Sequence, residues 1–364
     1  MKKFVALLLC VLMAAALLVS CGGGGTSTPS PSTPPATNAP PATSGSPAPS
    51  TTPPPAVNTK TLRASTPTEP GAGWTVALDT IAEDVYKNTN GAYKIDIYTN
   101  ASLSEGSEKT MTEQVYVGTL DMCVTPASLA SAEWSAFSVP FMFDDRDHIW
   151  RVCESDVVQG MLDKMSEKGM KAIGIVENGF FQITNNVREI KVPADTAGIK
   201  MRTPQAPSSI ASAEMMGFNA VAISSGELYV ALQQGTADGQ QNSLSTIFNK
   251  GFADVQKYLT VVNVNWSPAL IGINLDLWES FDADTQAIFT EAIKHGAQVC
   301  NDMLAEEDAG FVPKLQEKGM QVYTCTADDL KLWKEALSGA ADLYKDGVGP
   351  ELMEDFLAAV ESNR

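Results

Sequence analysis

Residues 22 to 58 read GGGGTSTPSPSTPPATNAPPATSGSPAPSTTPPPAVN, with no charged side chain and no apolar periodicity. Such a composition buries too little apolar surface to offset the entropy of ordering the chain, so the tract is expected to be a disordered linker. Its prolines bias the backbone toward extended forms, which suits a tether. The tract divides the chain. Whatever folds compactly must be built from Lys60 to Arg364. About 305 residues suffice for one two-lobed body or two modest domains.

Ahead of the tract, MKK is a positive start, FVALLLCVLMAAALL an apolar run, and LVSC a set of small residues leading into Cys21. This order predicts a signal peptide over residues 1–20. LVSC resembles the lipobox of bacterial lipoproteins, in which the cysteine becomes the lipidated N-terminus. A transmembrane helix is the alternative, but the apolar run is short for one. The expectation is a lipid anchor at Cys21, an anchored linker over 21–59, and an extracytoplasmic protein on the periplasmic side or outer face of a membrane.

The chain carries 43 Asp and Glu against 25 Lys and Arg, a net charge of −18, and loss of Lys2 and Lys3 with the signal makes it more negative. Nucleic acids and anionic lipid surfaces are disfavoured partners. Beyond the anchor, Cys123, Cys153, Cys300 and Cys325 show no metal-like spacing. Export permits disulfides among them, buried free thiols fit equally well, and the spacing does not choose.

From Lys60 strand-like and helix-like segments alternate. TLRAST, YKIDIYT, DMCVTP, GIKMRT and NAVAI read as strands. WTVALDTIAEDVYKNT, SEKTMTEQVYVGTL and the whole of 146–169 read as helices, and MKAIGIVEN with FFQITNN as one long strand with an irregular middle. DADTQAIFTEAIKHGAQVCNDMLAEEDAGFVPKLQEKG predicts a helix exceeding thirty residues, with Pro313 a kink point. The order argues for α/β layers with largely parallel strands, in two lobes that the chain crosses several times. Lobe I is expected over 60–184 plus about 273–311, and lobe II over about 185–272 plus 312–364. A cleft between lobes is a common seat for a small ligand.

Tests for catalysis fail one by one. The only histidines, His148 and His295, form no HExxH pair, and His148 reads as a solvated helix start beside an Asp145 or Asp147 cap. Asp144, Asp145 and Asp147 lack calcium-loop spacing. There is no GxSxG elbow and no phosphate loop, and GAGW at 71–74 lacks the third glycine of a dinucleotide fingerprint. No enzyme, metal or cofactor is expected. Arg202 differs in kind: no acid lies within six positions of it, the nearest being Asp195 and Glu214. A guanidinium offers a planar fork that matches a carboxylate, and this one stands at a predicted strand end before Pro204.

The stretches NGAYKIDIYTNASL, EQVYVGTLDM, VPFMFDDRDH, ENGFFQITNN, GIKMRTPQAP, GELYVALQQGTADGQQNS and VQKYLTV occur in the order of a known family. Together they resemble the solute-binding proteins of TRAP transporters, the DctP-like family, over about residues 62 to 360. The resemblance implies a periplasmic-binding-protein-like fold of two α/β lobes around a ligand cleft, with a long helix spanning both. It also implies capture of a small organic acid by cleft closure and delivery to membrane permease subunits. The family's K-x-R-x-P motif falls on Lys200, Arg202 and Pro204, making Arg202 the carboxylate clamp. DGQ-x-N falls on Asp238, Gly239, Gln240 and Asn242, so Asn242 is expected to bond the ligand. Gln241, where many members carry Glu, is either a second ligand contact or a loop-capping amide.

One departure shapes the ligand. Many members read G-F-R-x-x-T-N, but here the run is GFFQITN, so Phe181 replaces a second cation. An aromatic ring in that place favours a monocarboxylate with an apolar or aromatic body. Trp74 and Trp266 fall where the family's pocket loops lie, and are either aromatic walls or core. Glu108 is either a contact for a ligand amine or hydroxyl, or a helix-face charge. The competing functions are a dicarboxylate or sugar-acid binder, a binding protein feeding a sensor kinase, and an enzyme on the same scaffold.

Overall fold

In the computed structural model, which describes residues 58–364, the alternating segments form two sheets. The strands are β1 (Lys60–Ser65), β2 (Tyr93–Tyr98), β3 (Met122–Pro126), β4 (Met170–Phe180), β5 (Gln182–Asn185) and β6 (Lys200–Thr203). They continue with β7 (Asn219–Ala222), β8 (Gly239–Asn242), β9 (Tyr258–Val261), β10 (Trp266–Asn274) and β11 (Gln321–Thr324). The first sheet runs β2-β1-β3-β10-β4 and the second β11-β9-β5-β8-β6-β7. Each is the centre of one lobe.

Both faces of the first sheet are covered. Met122 and Val124 on β3 join an apolar cluster with the helix Gly73–Asn88, while Cys123 between them joins the opposite cluster of Trp134, Phe137 and Phe356. That is the two-residue period of a strand buried on both sides. The helix Gly73–Asn88 packs on the long helix Ala283–Glu317 so closely that a Cβ on Gly296 would lie 2.6 Å from the Ala77 carbonyl oxygen. Only glycine fits there. The long helix has 35 residues and includes Pro313. Phe289, Ile293 and Leu304 seat it in the first lobe, Phe311 and Leu315 in the second.

The strands are less parallel than their order predicts. β1–β2, β1–β3, β6–β7, β6–β8 and β9–β11 are parallel, but β10 is antiparallel to both its neighbours, and so is β5. These are the two strands that follow a direct strand-to-strand crossing between lobes; β11, reached through the long helix, is parallel to its neighbour. The first crossing is a single residue, Phe181, between β4 and β5. The return crossing lies between β9 and β10, near 265 instead of 272, because β10 is buried at every position and sits between β3 and β4. The last helix, Pro350–Ser362, packs on the first lobe and not the second: Met353, Phe356 and Val360 join the Trp134 cluster.

Two smaller expectations also change. The helical stretch over 146–169 breaks at Glu154 and Ser155 into Arg146–Cys153 and Asp156–Lys164. His148 is not solvated. It is 1% exposed, its backbone N–H donates to the capping carboxylate of Asp145 at 2.8 Å, and its Nε2 lies 2.8 Å from the Val360 carbonyl. Asp144 is engaged by Arg364. Cys123, Cys153 and Cys300 are buried free thiols, and Cys325 is a half-buried one. Among the described residues no helix is long and apolar enough to cross a membrane. Cys21 and the expected signal and linker lie outside the described residues.

Candidate functional site

Between the lobes lies a cavity of about 130 Å³ lined from both sides. Arg202 enters it from β6, which is held between β7 and β8, with Arg202 opposite Val221 and Gln240. The residue stands near the carboxyl end of a parallel strand, where open α/β sheets present their ligands. Its side chain is 7% exposed, and its one hydrogen bond among the described residues is Nε donating to the Ile223 carbonyl at 2.8 Å. That bond orients the fork and leaves both terminal nitrogens uncommitted. No described carboxylate lies within ion-pair distance of it. Burial pushes the guanidinium down to about 10 from an ordinary 12.5, opposed by the field of Glu108 across the cleft. Arg202 is a desolvated cation at neutral pH.

β8 supplies Gln241 and Asn242, both lining the cavity. GQQN has no apolar alternation, so periodicity does not reveal this strand. Gly239 allows it: a Cβ there would sit 2.3 Å from the Thr184 carbonyl oxygen on β5. A buried relay fixes Asn242. Its Nδ2 donates to Gln240 Oε1, Gln240 Nε2 donates to Thr184 Oγ1 at 2.9 Å, and Thr184 Oγ1 donates to Gln256 Oε1 at 2.8 Å. Fully satisfied networks of this kind hold a side chain in one rotamer. Gln241 pairs through its backbone with Ile183 and meets only Met216 Sδ, at 3.4 Å, through its amide. It is a strand residue, not a loop cap.

The first lobe contributes Trp74, Phe181 and Glu108. Trp74 is 5% exposed, and its Nε1 donates to the Glu177 carbonyl at 2.9 Å, which fixes the ring against the cavity. Phe181 is pinned at the crossing: its N–H donates to Asn265 O at 2.8 Å and its carbonyl accepts from Val264 N at 3.0 Å. Glu108 opens the helix Glu108–Tyr116, which Ser107 caps.

Trp266 does not belong to this group. It is fully buried beneath the site, its ring 5.6 Å from Phe137 and 5.7 Å from Trp150, in the aromatic core of the first lobe. As the first residue of β10 it points to the sheet face that the last helix covers. Its Nε1 lies 3.4 Å from the carboxylate of Glu177. That buried carboxylate also takes Arg146 Nε at 3.1 Å, and Arg146 Nη2 reaches Asp308 on the long helix at 3.0 Å. Glu177 thus joins Trp74, Trp266, Arg146 and the long helix below the cavity floor.

The cavity has polar lining that motif reasoning missed: Asn178, Thr203, Ser209, Ser212, Thr246 and Lys250. Thr203 Oγ1 is buried with no hydrogen-bond partner among the described residues, immediately after Arg202. Ser209 and Ser212 are three apart on the helix Pro207–Met215, so they share a face. That spacing was a readable signal. Lys250 carried none.

Comparison with known proteins agrees with this architecture. The sequence model for bacterial extracellular solute-binding proteins, family 7 (DctP) matches residues 65–346. A solute-binding protein of Verminephrobacter eiseniae is 37% identical over 265 residues, covering 72% of this chain and 78% of that protein. A TRAP periplasmic solute-binding protein of a Polaromonas species, solved with D-erythronate, superposes with TM-score 0.77 at 27% identity, covering 82% of this chain and 98% of that one. Another from Bordetella bronchispeptica, with pantoate assigned to its density, has TM-score 0.76 at 29% identity and covers 81% and 98%.

Proposed function

The chain belongs to the DctP family of bacterial extracellular solute-binding proteins, and from that premise we propose that its cleft captures a monocarboxylate with an apolar or aromatic body. The family serves TRAP transport and is not enzymatic. One observation carries the reading: Arg202 is a buried cation lining the cavity, with no hydrogen bond from its terminal nitrogens and no described carboxylate paired to it. A ligand carboxylate would supply the missing charge through a bidentate pair.

Asn242, held by its relay, and Thr203 Oγ1 would take further oxygens of the ligand. Trp74 and Phe181, with Pro126, Leu129 and Pro204, give the chamber the apolar walls for the ligand body. Ser209 and Ser212 would accept a hydroxyl substituent. Pantoate, assigned to the Bordetella relative, is an acid of this description: one carboxylate on a branched hydrocarbon body bearing hydroxyls. Because the cavity is lined from both lobes, a ligand bridging them would favour the closed arrangement by its extra contacts there. The closed complex would then deliver its acid to the permease subunits, from a protein tethered through a lipid on Cys21.

Calorimetry and thermal shift with pantoate, D-erythronate, benzoate and succinate test the ligand class. The expected outcome is stabilisation by pantoate and benzoate, with succinate and the sugar acid D-erythronate weaker. Stabilisation by succinate alone, or by D-erythronate alone, would overturn it. Metabolic labelling with a fatty-acid analogue, absent in Cys21→Ser, tests the anchor.

A further inference from the structure

The inner chamber opens into an outer cavity of about 390 Å³ at the mouth of the cleft. The two share Pro67, Glu108, Ser225 and Lys250, so they are contiguous. The mouth is narrow on one side, where the lobes meet: a Cβ on Gly226 of the second lobe would lie 3.3 Å from the Gly106 carbonyl of the first. Among the charged residues lining the outer cavity are Glu69, Glu108 and Lys250, and Lys250 is the only cation.

Lys250 is rooted at the end of the helix Leu244–Asn249, its backbone N–H donating to Thr246 O at 3.0 Å. Lys250 is half-buried, its ammonium reaches no carboxylate within 4 Å among the described residues, and its one side-chain hydrogen bond among them is to Ser225 Oγ at 3.5 Å. A flexible four-carbon stem anchored at such a junction can meet an anion in the mouth.

We infer that Lys250 is the capture residue of the site: it receives an anionic ligand at the mouth and passes it to Arg202, setting the association rate and not the final hold. The inference rests on the carboxylate reading of Arg202. A chain of net charge −18 repels anions at long range, and without Lys250 the mouth offers them two carboxylates and no cation. Arg202 is too deeply sunk, and too close to the field of Glu108, to reach out for them. Charges at the rim of a site act mainly on encounter, and their effect fades with salt.

Stopped-flow tryptophan fluorescence on the intact protein, with pantoate and with D-erythronate as probes, separates the two steps. For Lys250→Gln the association rate constant is expected to fall about three- to tenfold at low ionic strength, and the deficit to shrink as salt screens the mouth. Dissociation should change by less than about twofold. Lys250→Arg should keep the fast rate and Lys250→Glu lower it further. An unchanged association rate in Lys250→Gln, or a loss expressed mainly in dissociation, would overturn the inference. Arg202→Met is the control for the reading beneath it and should raise dissociation. If it does not, the clamp assignment fails while the rates of the Lys250 variants still judge the mouth. No transient with either acid would remove both.

Discussion

Replacing Arg202 with Met should strengthen the ligand-free fold while removing most of the binding. The folded guanidinium ionises at about 10 against 12.5 for an ordinary arginine, with burial the largest cause. The shift is downward for a base, so the folded state penalises the cationic form at every pH below about 10, and the penalty disappears only above 12.5. At 1.36 kcal/mol per pH unit it amounts to roughly 3 kcal/mol at neutral pH. Met keeps the apolar stem and discards the charge. It also loses the charge-assisted hydrogen bond to Ile223 O, worth about 1.5–3 kcal/mol. The net expectation is a ligand-free protein more stable by about 0.5–2 kcal/mol, read by urea denaturation followed with two optical probes to check two-state behaviour. Binding moves the other way. Two charge-assisted hydrogen bonds at about 1.5–3 kcal/mol each imply an affinity loss of about a hundred- to ten-thousandfold for pantoate, measured by calorimetry. A variant destabilised by about 1 kcal/mol or more would mean that Arg202 has a structural counter-charge, and an affinity within about threefold of the parent would refute the clamp.

Three further outcomes follow from the same geometry. Trp266→Ala should cost about 3–5 kcal/mol of stability, as expected of a large core aromatic, while the protein that remains folded binds pantoate within about threefold of the parent. Affinity should be level from neutral pH to about 9 and decline through and above about 10, as Arg202 loses its proton and with it the attraction for a carboxylate, which a calorimetric pH series would show. Gly226→Val should weaken pantoate binding about tenfold, because a Cβ at 226 already lies 3.3 Å from the Gly106 carbonyl in this arrangement and a larger side chain would hold the lobes apart. Unaltered affinity in that variant would mean that the lip is not part of closure.

Much of this was legible in the chain because the signals were local. The alternation of YKIDIY, the long period of 283–317 and the isolation of Arg202 from acids each need only a short window. What was not legible depended on partners distant in sequence. Trp74 and Trp266 look alike as residues near family pocket loops, yet Glu177 sorts them: its carbonyl turns one toward the cavity, and its carboxylate sits beside the buried ring of the other. β8 escaped because GQQN is stabilised by pairing and by an amide relay, not by a hydrophobic face. The last helix is a similar case: its apolar face, Met353, Phe356 and Val360, names no lobe by itself, and only Trp134 and Phe137 in space place it with the first. Lys250 gave no local sign, since a lysine after a short helix is ordinarily a solvated one.

Phe181 is both a wall of the cavity and the one-residue link between the two sheets. A point on an axle travels almost no distance when the wheel turns. Any swing of one lobe about this link therefore leaves the Phe181 ring near its starting place, while parts of the cleft farther from the link travel more. Contact with Phe181 strengthens binding to the open and shut forms nearly alike. The preference for the shut form must come from contacts away from the link, such as Arg202 on one lobe and Trp74 on the other, so a ligand that touches only the link and one lobe occupies the chamber without drawing the lobes together.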